Sequence, residues 1–248
     1  MASILEESGF NPGADLKIVG TNPIKHDGLD KVMGRAKFGA DAFLPGMLVG
    51  KILRSPHAHA NIKSIDTSKA EALPGVKAVI TSSDFPEKKA GTPPGDMTRN
   101  VMAREKALYD GHPVAALAAT SEKIAKQALK LIEVDYEILP HVIDPVEAMK
   151  PDAPILHDYL RTKGVEGAED KQTNVTERMV TQLGDIDAGF EEADVIVERS
   201  YDSKPMHQGY IEPQGCIADY SEDGQIEVWC CTQAPFVYRD RLSAILDI

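Results

Sequence analysis

The chain has 248 residues, enough to bury one large or two ordinary cores, and its 27 Lys and Arg against 39 Asp and Glu give a formal net charge of −12. That balance weighs against a nucleic-acid partner, which needs concentrated basic residues to meet phosphate. With 42% apolar residues the composition is that of a folded globular protein; its apolar runs fall far short of the roughly 20 residues of a spanning helix, and MASILEESGFNPG has neither block of an export leader, so a cytoplasmic protein is expected.

Residues 1–16, with Asn11-Pro12-Gly13, are expected to form a flexible arm, and a first α/β domain is expected over 17–140. Gly28 to Arg35 carries Leu29, Val32 and Met33 at helical spacing, with Gly34 as its stop. Met47 to Leu53 predicts a strand and Asn61 to Ile65 a second. Asp66-Thr67-Ser68 then offers capping residues for a short helix through Leu73. Pro74-Gly75 breaks it, and Val76 to Thr81 predicts a third strand. Ser83 to Thr98, rich in Pro, Gly, Lys and Asp, predicts an exposed loop. Val114 to Thr120 predicts a buried strand, and Ser121 caps a helix over Glu122 to Leu131 with Ile124, Ala128 and Leu131 on one stripe. Glu133 to Ile138 alternates as a strand with one wet face.

Composition shifts after Pro140. The prolines and polar residues of 141–184 predict a linker wrapped over a surface. Over 185–248, Asp185 to Ala193 predicts a short helix, and Asp194 to Ser203, Gly215 to Tyr220 and Gln225 to Thr232 predict strands. Pro235 to Leu246 predicts an amphipathic helix. The chain thus combines helices and strands as an α+β protein.

Few residues point to chemistry. His57 and His59, two apart on an extended segment, share a face and could give half a metal site; the opposing reading is scaffold, with Ala58 and Ala60 admitting a neighbouring backbone. Asp27, Asp30, Asp41, Glu191 and Glu192 read as solvated surface charge. Cys216, Cys230 and Cys231 match no zinc spacing and read as reduced, packed thiols, the last two pointing to opposite faces of a strand. The unusual segment is PMHQGYIEPQGCIADY. His207, Gln208, Tyr210 and Glu212 there precede an apolar strand, where they either line a pocket or tie down a turn. Thr232 and Gln233 lead into a helix N-terminus, whose free N–H groups can meet an anion or a cofactor tail.

Three longer stretches carry a resemblance: GLDKVMGRAKFGADAFLPGMLVGKILRSPHAHANIKSIDTSKAEALPGVKAVITSSDF, YDGHPVAALAATSEKIAKQALKLIEVDYEILPHVIDPVEAM, and HQGYIEPQGCIADY with IEVWCCTQAPFVYRDRLSAILDI. Together they resemble the N-terminal part of the molybdenum-binding large subunit of the xanthine dehydrogenase and aldehyde oxidase family. The bacterial flavour is similar to the 4-hydroxybenzoyl-CoA reductase and the carbon monoxide or aldehyde dehydrogenase branches. The resemblance implies an α/β hammerhead domain over 17–140, followed by an incomplete N-terminal segment of a molybdopterin-binding domain over 185–248. It makes His57 and His59 scaffold.

In that family a glutamine lies near the molybdenum in a segment like MHQGYIEP. Gln208 is the only glutamine of that segment here, with Met206 or His207 as the alternatives in register. The cofactor-facing candidates are therefore Gln208 and His207 from the resemblance, with Gln233 from its place ahead of a helix N-terminus. No metal ligand and no catalytic residue are implied within the chain, because the family's pterin-contacting loop and catalytic glutamate lie beyond its last residue. The expectation is a partial molybdenum-cofactor-binding subunit of an oxidoreductase, inactive alone. Its partners would be the remaining molybdopterin-binding polypeptide, an iron–sulfur subunit with 2Fe-2S clusters and an FAD subunit. The competing expectation is a scaffold or interaction module that keeps the fold without the chemistry; an unrelated small-ligand module at His207 to Glu212 ranks third.

Overall fold

The structure, a computed structural model, describes residues 17–167, 170–210 and 212–248; the arm expected over 1–16 lies outside them. In chain order the elements are α1 (Gly28–Val32), β1 (Val49–Arg54), β2 (Ala60–Asp66), α2 (Ser68–Glu71), β3 (Val76–Thr81), α3 (Pro93–Val101), β4 (Lys106–Ala107), β5 (Pro113–Ala119), α4 (Glu122–Leu129) and β6 (Glu133–Ile138). There follow α5 (Pro145–Ala148), α6 (Ile186–Glu191), β7 (Cys216–Tyr220), β8 (Ile226–Cys230) and α7 (Pro235–Leu246). They fall into two compact units that do not follow chain order. The smaller joins the chain up to Phe43 to 208–231, and the larger takes Leu44–His207 with Thr232–Ile248.

The larger unit contains two three-stranded antiparallel sheets, ordered β1-β5-β3 and β4-β2-β6. The middle strand of the first, PVAALAA, is built almost wholly of small residues and is buried along most of its length. Small side chains let α4 and α2 settle close over that sheet. Ala70, Ala115, Leu117, Ala119, Ala125, Ala128 and Ile132 form the buried core, edged by Val49, Leu53, Ile65, Val76, Val79 and Val134. Ser121 Oγ accepts the Ile124 N–H at 3.3 Å and so caps α4.

Gly75 makes the turn into β3 at φ +95°. A Cβ there would stand 2.6 Å from Ile124 Cδ1 and 2.9 Å from Thr120 Oγ1, so the turn needs glycine both for its backbone and for the approach of α4.

Most expected elements form within two residues of their expected ends; three expectations do not hold. Inside the stretch read as loop over Ser83 to Thr98, Pro93–Val101 is a helix. Thr92 Oγ1 caps it from Gly95 N–H at 3.3 Å and proline occupies its first turn, where a missing N–H costs nothing. Residues 194–203 form no strand. Val195, Ile196 and Val197 are exposed, and no neighbouring strand among the described residues satisfies their backbone. The helix α7 does form, but its apolar residues spread around the axis, with Phe236, Val237 and Tyr238 exposed and Ile245 buried.

The segment 141–184 carries structure of its own. Asn174 ties it together: Nδ2 donates to the carbonyls of Ala148 (3.1 Å) and Pro154 (2.9 Å), while Oδ1 accepts from Leu156 N–H at 3.0 Å. Lys163 and Glu177 form a parallel bridge beyond it.

In the smaller unit β7 and β8 make an antiparallel hairpin in continuous register from Cys216↔Cys230 to Tyr220↔Ile226. Its turn is closed by Ser221, Asp223 and Gly224. The helix α1 stops at Gly34, which takes φ +67° as the sequence predicts.

Candidate functional site

Ahead of the hairpin, residues 206–210 and Glu212 have no regular secondary structure. Glu212 is the anchor: Oε1 accepts the Gly39 N–H at 3.0 Å, tying this segment to the single-turn helix Gly39–Asp41 of the same unit. A hydrogen-bonded tie at this point is one of the two roles the sequence leaves open. Gln208 and His207 are exposed beside it, and Ile211 lies outside the described residues. The two units divide the cofactor-facing candidates, Gln208 in the smaller and His207 and Gln233 in the larger.

Gln233 is exposed immediately ahead of α7. Thr232 Oγ1 accepts the Ala234 N–H at 3.1 Å and shapes the entry to the helix. Ala234 stands at the N-cap with no side chain able to accept from the first turn, and Pro235 follows. The first-turn N–H groups of a helix have no intrahelical acceptor, and among the described residues no side chain caps them here. Such amide donors and the positive end of the helix dipole suit an anionic, acceptor-rich group such as a molybdopterin tail, and the Gln233 amide of the same unit adds a donor of the same kind. The residues present fit that cofactor's periphery.

His57 and His59 are held by different neighbours. The His57 ring meets Tyr136 edge-on at 5.0 Å, and the His57 backbone N–H donates to Ser55 Oγ at 3.0 Å. His59 is buried; its Nδ1 lies 2.7 Å from the Pro140 carbonyl, so Nδ1 carries the proton, and its buried Nε2 has no partner among the described residues. Both rings thus serve the packing of the segment that joins β1 to β2. Among the described residues no three His, Cys, Asp or Glu side chains gather in a metal-binding cluster. The carboxylates of Asp27, Asp30 and Asp41 are engaged locally, by Lys31 (2.6 Å), Arg35 (3.2 Å) and the Phe38 N–H (3.1 Å).

Two features escape sequence reasoning. His112 is fully buried: its Nδ1 accepts the Leu108 N–H at 3.1 Å, its Nε2 donates to the Arg99 carbonyl at 2.7 Å, and Tyr109 stacks on it at 4.3 Å. Both ring nitrogens are used in the neutral form, and burial holds its pKa below the ordinary 6.5. A histidine set between a turn glycine and a strand, in Gly111-His112-Pro113, was the available signal.

The second feature is a cavity of about 240 Å³ lined by Arg99, Arg104, Lys106, His157 and Tyr159. Burial, with Asp96 next, pushes the Tyr159 hydroxyl up to about 12, and burial lowers His157. Its cations are already committed: Arg99 to the Lys88 carbonyl, Arg104 to those of Ser82 and Phe85, and Lys106 to Asp158. It reads as a structural seam beneath the 141–184 segment.

A family model described as the aldehyde oxidase and xanthine dehydrogenase a/b hammerhead domain matches residues 33–140, and one described as the molybdopterin cofactor-binding domain matches 168–248. The carbon monoxide dehydrogenase large chain of Afipia carboxidovorans is 38% identical over 86% of this chain and 27% of its own length. The nicotinate dehydrogenase large molybdopterin subunit of Eubacterium barkeri is 32% identical over 95% of this chain and 52% of its own. The solved structure of reconstituted CO dehydrogenase from Oligotropha carboxidovorans superposes with a TM-score of 0.74 at 36% identity, covering 90% of this chain and 28% of that one. The chain thus spans between about a quarter and a half of the relatives it matches. It is an α+β chain that carries the hammerhead domain and part of the molybdopterin-binding domain, and it belongs to the xanthine dehydrogenase and aldehyde oxidase family, matching part of that family's large subunits.

Proposed function

We propose that this chain acts as part of the molybdenum-binding subunit of a cytoplasmic molybdenum hydroxylase-type oxidoreductase, working in complex with further polypeptides. The hammerhead domain supplies a rigid support. Gln208, His207 and Gln233 face the cofactor, the glutamine amides donating hydrogen bonds while the α7 N-terminus receives an anionic part of it. The molybdenum cofactor, when bound, supplies the two-electron oxidation of substrate. This chain's residues position it and exclude water from one side.

The observation that carries the reading is the apolar surface of the molybdopterin-binding region. Val195, Ile196 and Val197 are 77%, 60% and 70% exposed and Met206 is 90% exposed, within a stretch that forms no sheet of its own. Exposure of that kind marks a surface built to be covered by protein. We assign its cover to the remaining molybdopterin-binding polypeptide. Iron–sulfur and FAD subunits, carrying 2Fe-2S clusters and flavin, complete the electron path in this reading. No helix among the described residues is long and apolar enough to cross a membrane.

The test is purification of the complex from its host, with molybdenum, iron and flavin determined on it. All three accompanying this chain together with a second molybdopterin-binding polypeptide is the expected result; a chain that emerges alone and metal-free leaves the non-catalytic scaffold in its place. In the reconstituted complex, Gln208→Ala is expected to leave the fold intact and lower turnover. Unchanged turnover and molybdenum content would remove Gln208 from the cofactor's surroundings.

A further inference from the structure

The β7–β8 hairpin brings together two thiols that lie far apart in the sequence: Cys216 and Cys230 stand directly opposite each other at its open end. In an antiparallel ladder, opposite residues point to the same face, and whether they stand close depends on the phase of the hydrogen bonds. Ser221 N–H donates to the Gln225 carbonyl at 3.0 Å, which makes 221 and 225 a hydrogen-bonded pair. Stepping two residues at a time along the unbroken register makes Asp219↔Glu227 and Ile217↔Trp229 hydrogen-bonded pairs as well. Cys216↔Cys230 is therefore a non-hydrogen-bonded pair, the class with Cα atoms about 4.5 Å apart and side chains closest. That spacing lies inside the range of roughly 4.4–6.8 Å that a disulfide spans without moving the backbone.

The third cysteine is placed otherwise. Cys231 follows Cys230 directly, so its side chain turns to the other face, where Sγ lies 3.2 Å from Gln214 Oε1. All three cysteines are free thiols, with Cys216 exposed and Cys230 half-buried.

We propose that Cys216 and Cys230 are a modification site, a dithiol that closes to an intramolecular disulfide by exchange with a low-molecular-weight disulfide. The Cys216 thiolate, the more exposed, attacks one sulfur of RS–SR; the S–S bond breaks, and the departing RS⁻ takes up a proton as RSH. The Cys230 thiolate then attacks the Cys216 sulfur of the mixed disulfide and releases a second RSH. Two protein thiols are oxidised and one RS–SR is reduced to two RSH. The crosslink ties the hairpin shut at the end from which the chain runs on to Gln233, and it stands whether or not the chain serves a molybdenum enzyme.

The experiment treats the full chain with oxidised glutathione at mildly alkaline pH, alkylates the remaining thiols and maps the peptides by mass spectrometry. The expected product is a monomer lighter by two hydrogens, with Cys216 joined to Cys230, Cys231 alkylated and no glutathione retained. Dithiothreitol should restore three alkylatable thiols. Cys231→Ser should close as the natural chain does, whereas Cys230→Ser should halt at glutathione held on Cys216. Crosslinks through Cys231, or glutathione retained on Cys216 while Cys230 is present, would overturn the assignment.

Discussion

Two stretches of the larger unit carry apolar runs, and the fold treats them in opposite ways. Strand β5 and its neighbours bury Ala115, Leu117 and Ala119 under α4, and β5 is paired on both sides in the β1-β5-β3 ladder. From Leu183 to Met206 the apolar side chains face outward, and apart from the short α6 the backbone forms no ladder. The difference teaches that alternation alone does not make a strand. Val195 to Val197 would pass as one in sequence, but a strand exists only where another chain segment answers its N–H and C=O groups. The first stretch has such a partner within the unit; in the reading proposed above, the second finds its cover on another polypeptide.

The comparison is most sharply tested in the core. Leu117→Ala, removing a side chain packed between the sheet and α4, should cost about 2–5 kcal/mol in urea unfolding. A loss below 1 kcal/mol, against that ~2–5 kcal/mol expectation, would mean the sheet is not the stability centre. His112→Ala leaves the Leu108 N–H and Arg99 carbonyl without their partners and should cost about 1–3 kcal/mol. Equilibrium unfolding at neutral pH measures it, and a neutral substitution would contradict the buried geometry.

The same histidine sets a pH dependence. Burial lowers the His112 pKa below 6.5, and His157 shifts the same way. For such groups the unfolded chain binds the proton more readily than the folded one. Stability is therefore full above about 6.5, declines as pH falls below it, and levels off once pH passes beneath the folded-state pKa values. His112→Ala should make that decline shallower; an unaltered slope would assign it to other groups.

The smallest effect on folding is expected where the proposed effect on assembly is greatest. Ile196→Asp places a charge on an exposed side chain and should shift stability by no more than about 0.5 kcal/mol. It should nevertheless abolish co-purification with the remaining molybdopterin-binding polypeptide, because a buried interface would then hold an unpaired carboxylate. Undiminished co-purification would move the docking surface elsewhere.

Much of the fold is legible in the residues. Strands β1, β2, β3, β5 and β6 and helix α4 follow from periodicity and from Ser121, because each buries its own apolar face against a neighbour in the same unit. The helix α3 was hidden by its prolines, which read as breakers until Thr92 is recognised as a cap and Pro93 as a first-turn residue. The candidate site was legible only in part. The role of Glu212 depends on Gly39, 173 positions away in sequence, and His112 acts through Arg99 and Leu108 on segments whose approach no local pattern reports.

By itself the sequence determined the α+β character, the caps and turns, the acidic surface and the family to which the chain belongs, all of which rest on local propensity or on contiguous motifs. Tertiary structure alone decided which apolar segments are covered, that burial shifts His112 toward its neutral form, and that Cys216 faces Cys230 while Cys231 turns away. Those outcomes depend on register and on long-range packing. A shift of one residue between β7 and β8 would leave every local preference intact and separate the two thiols.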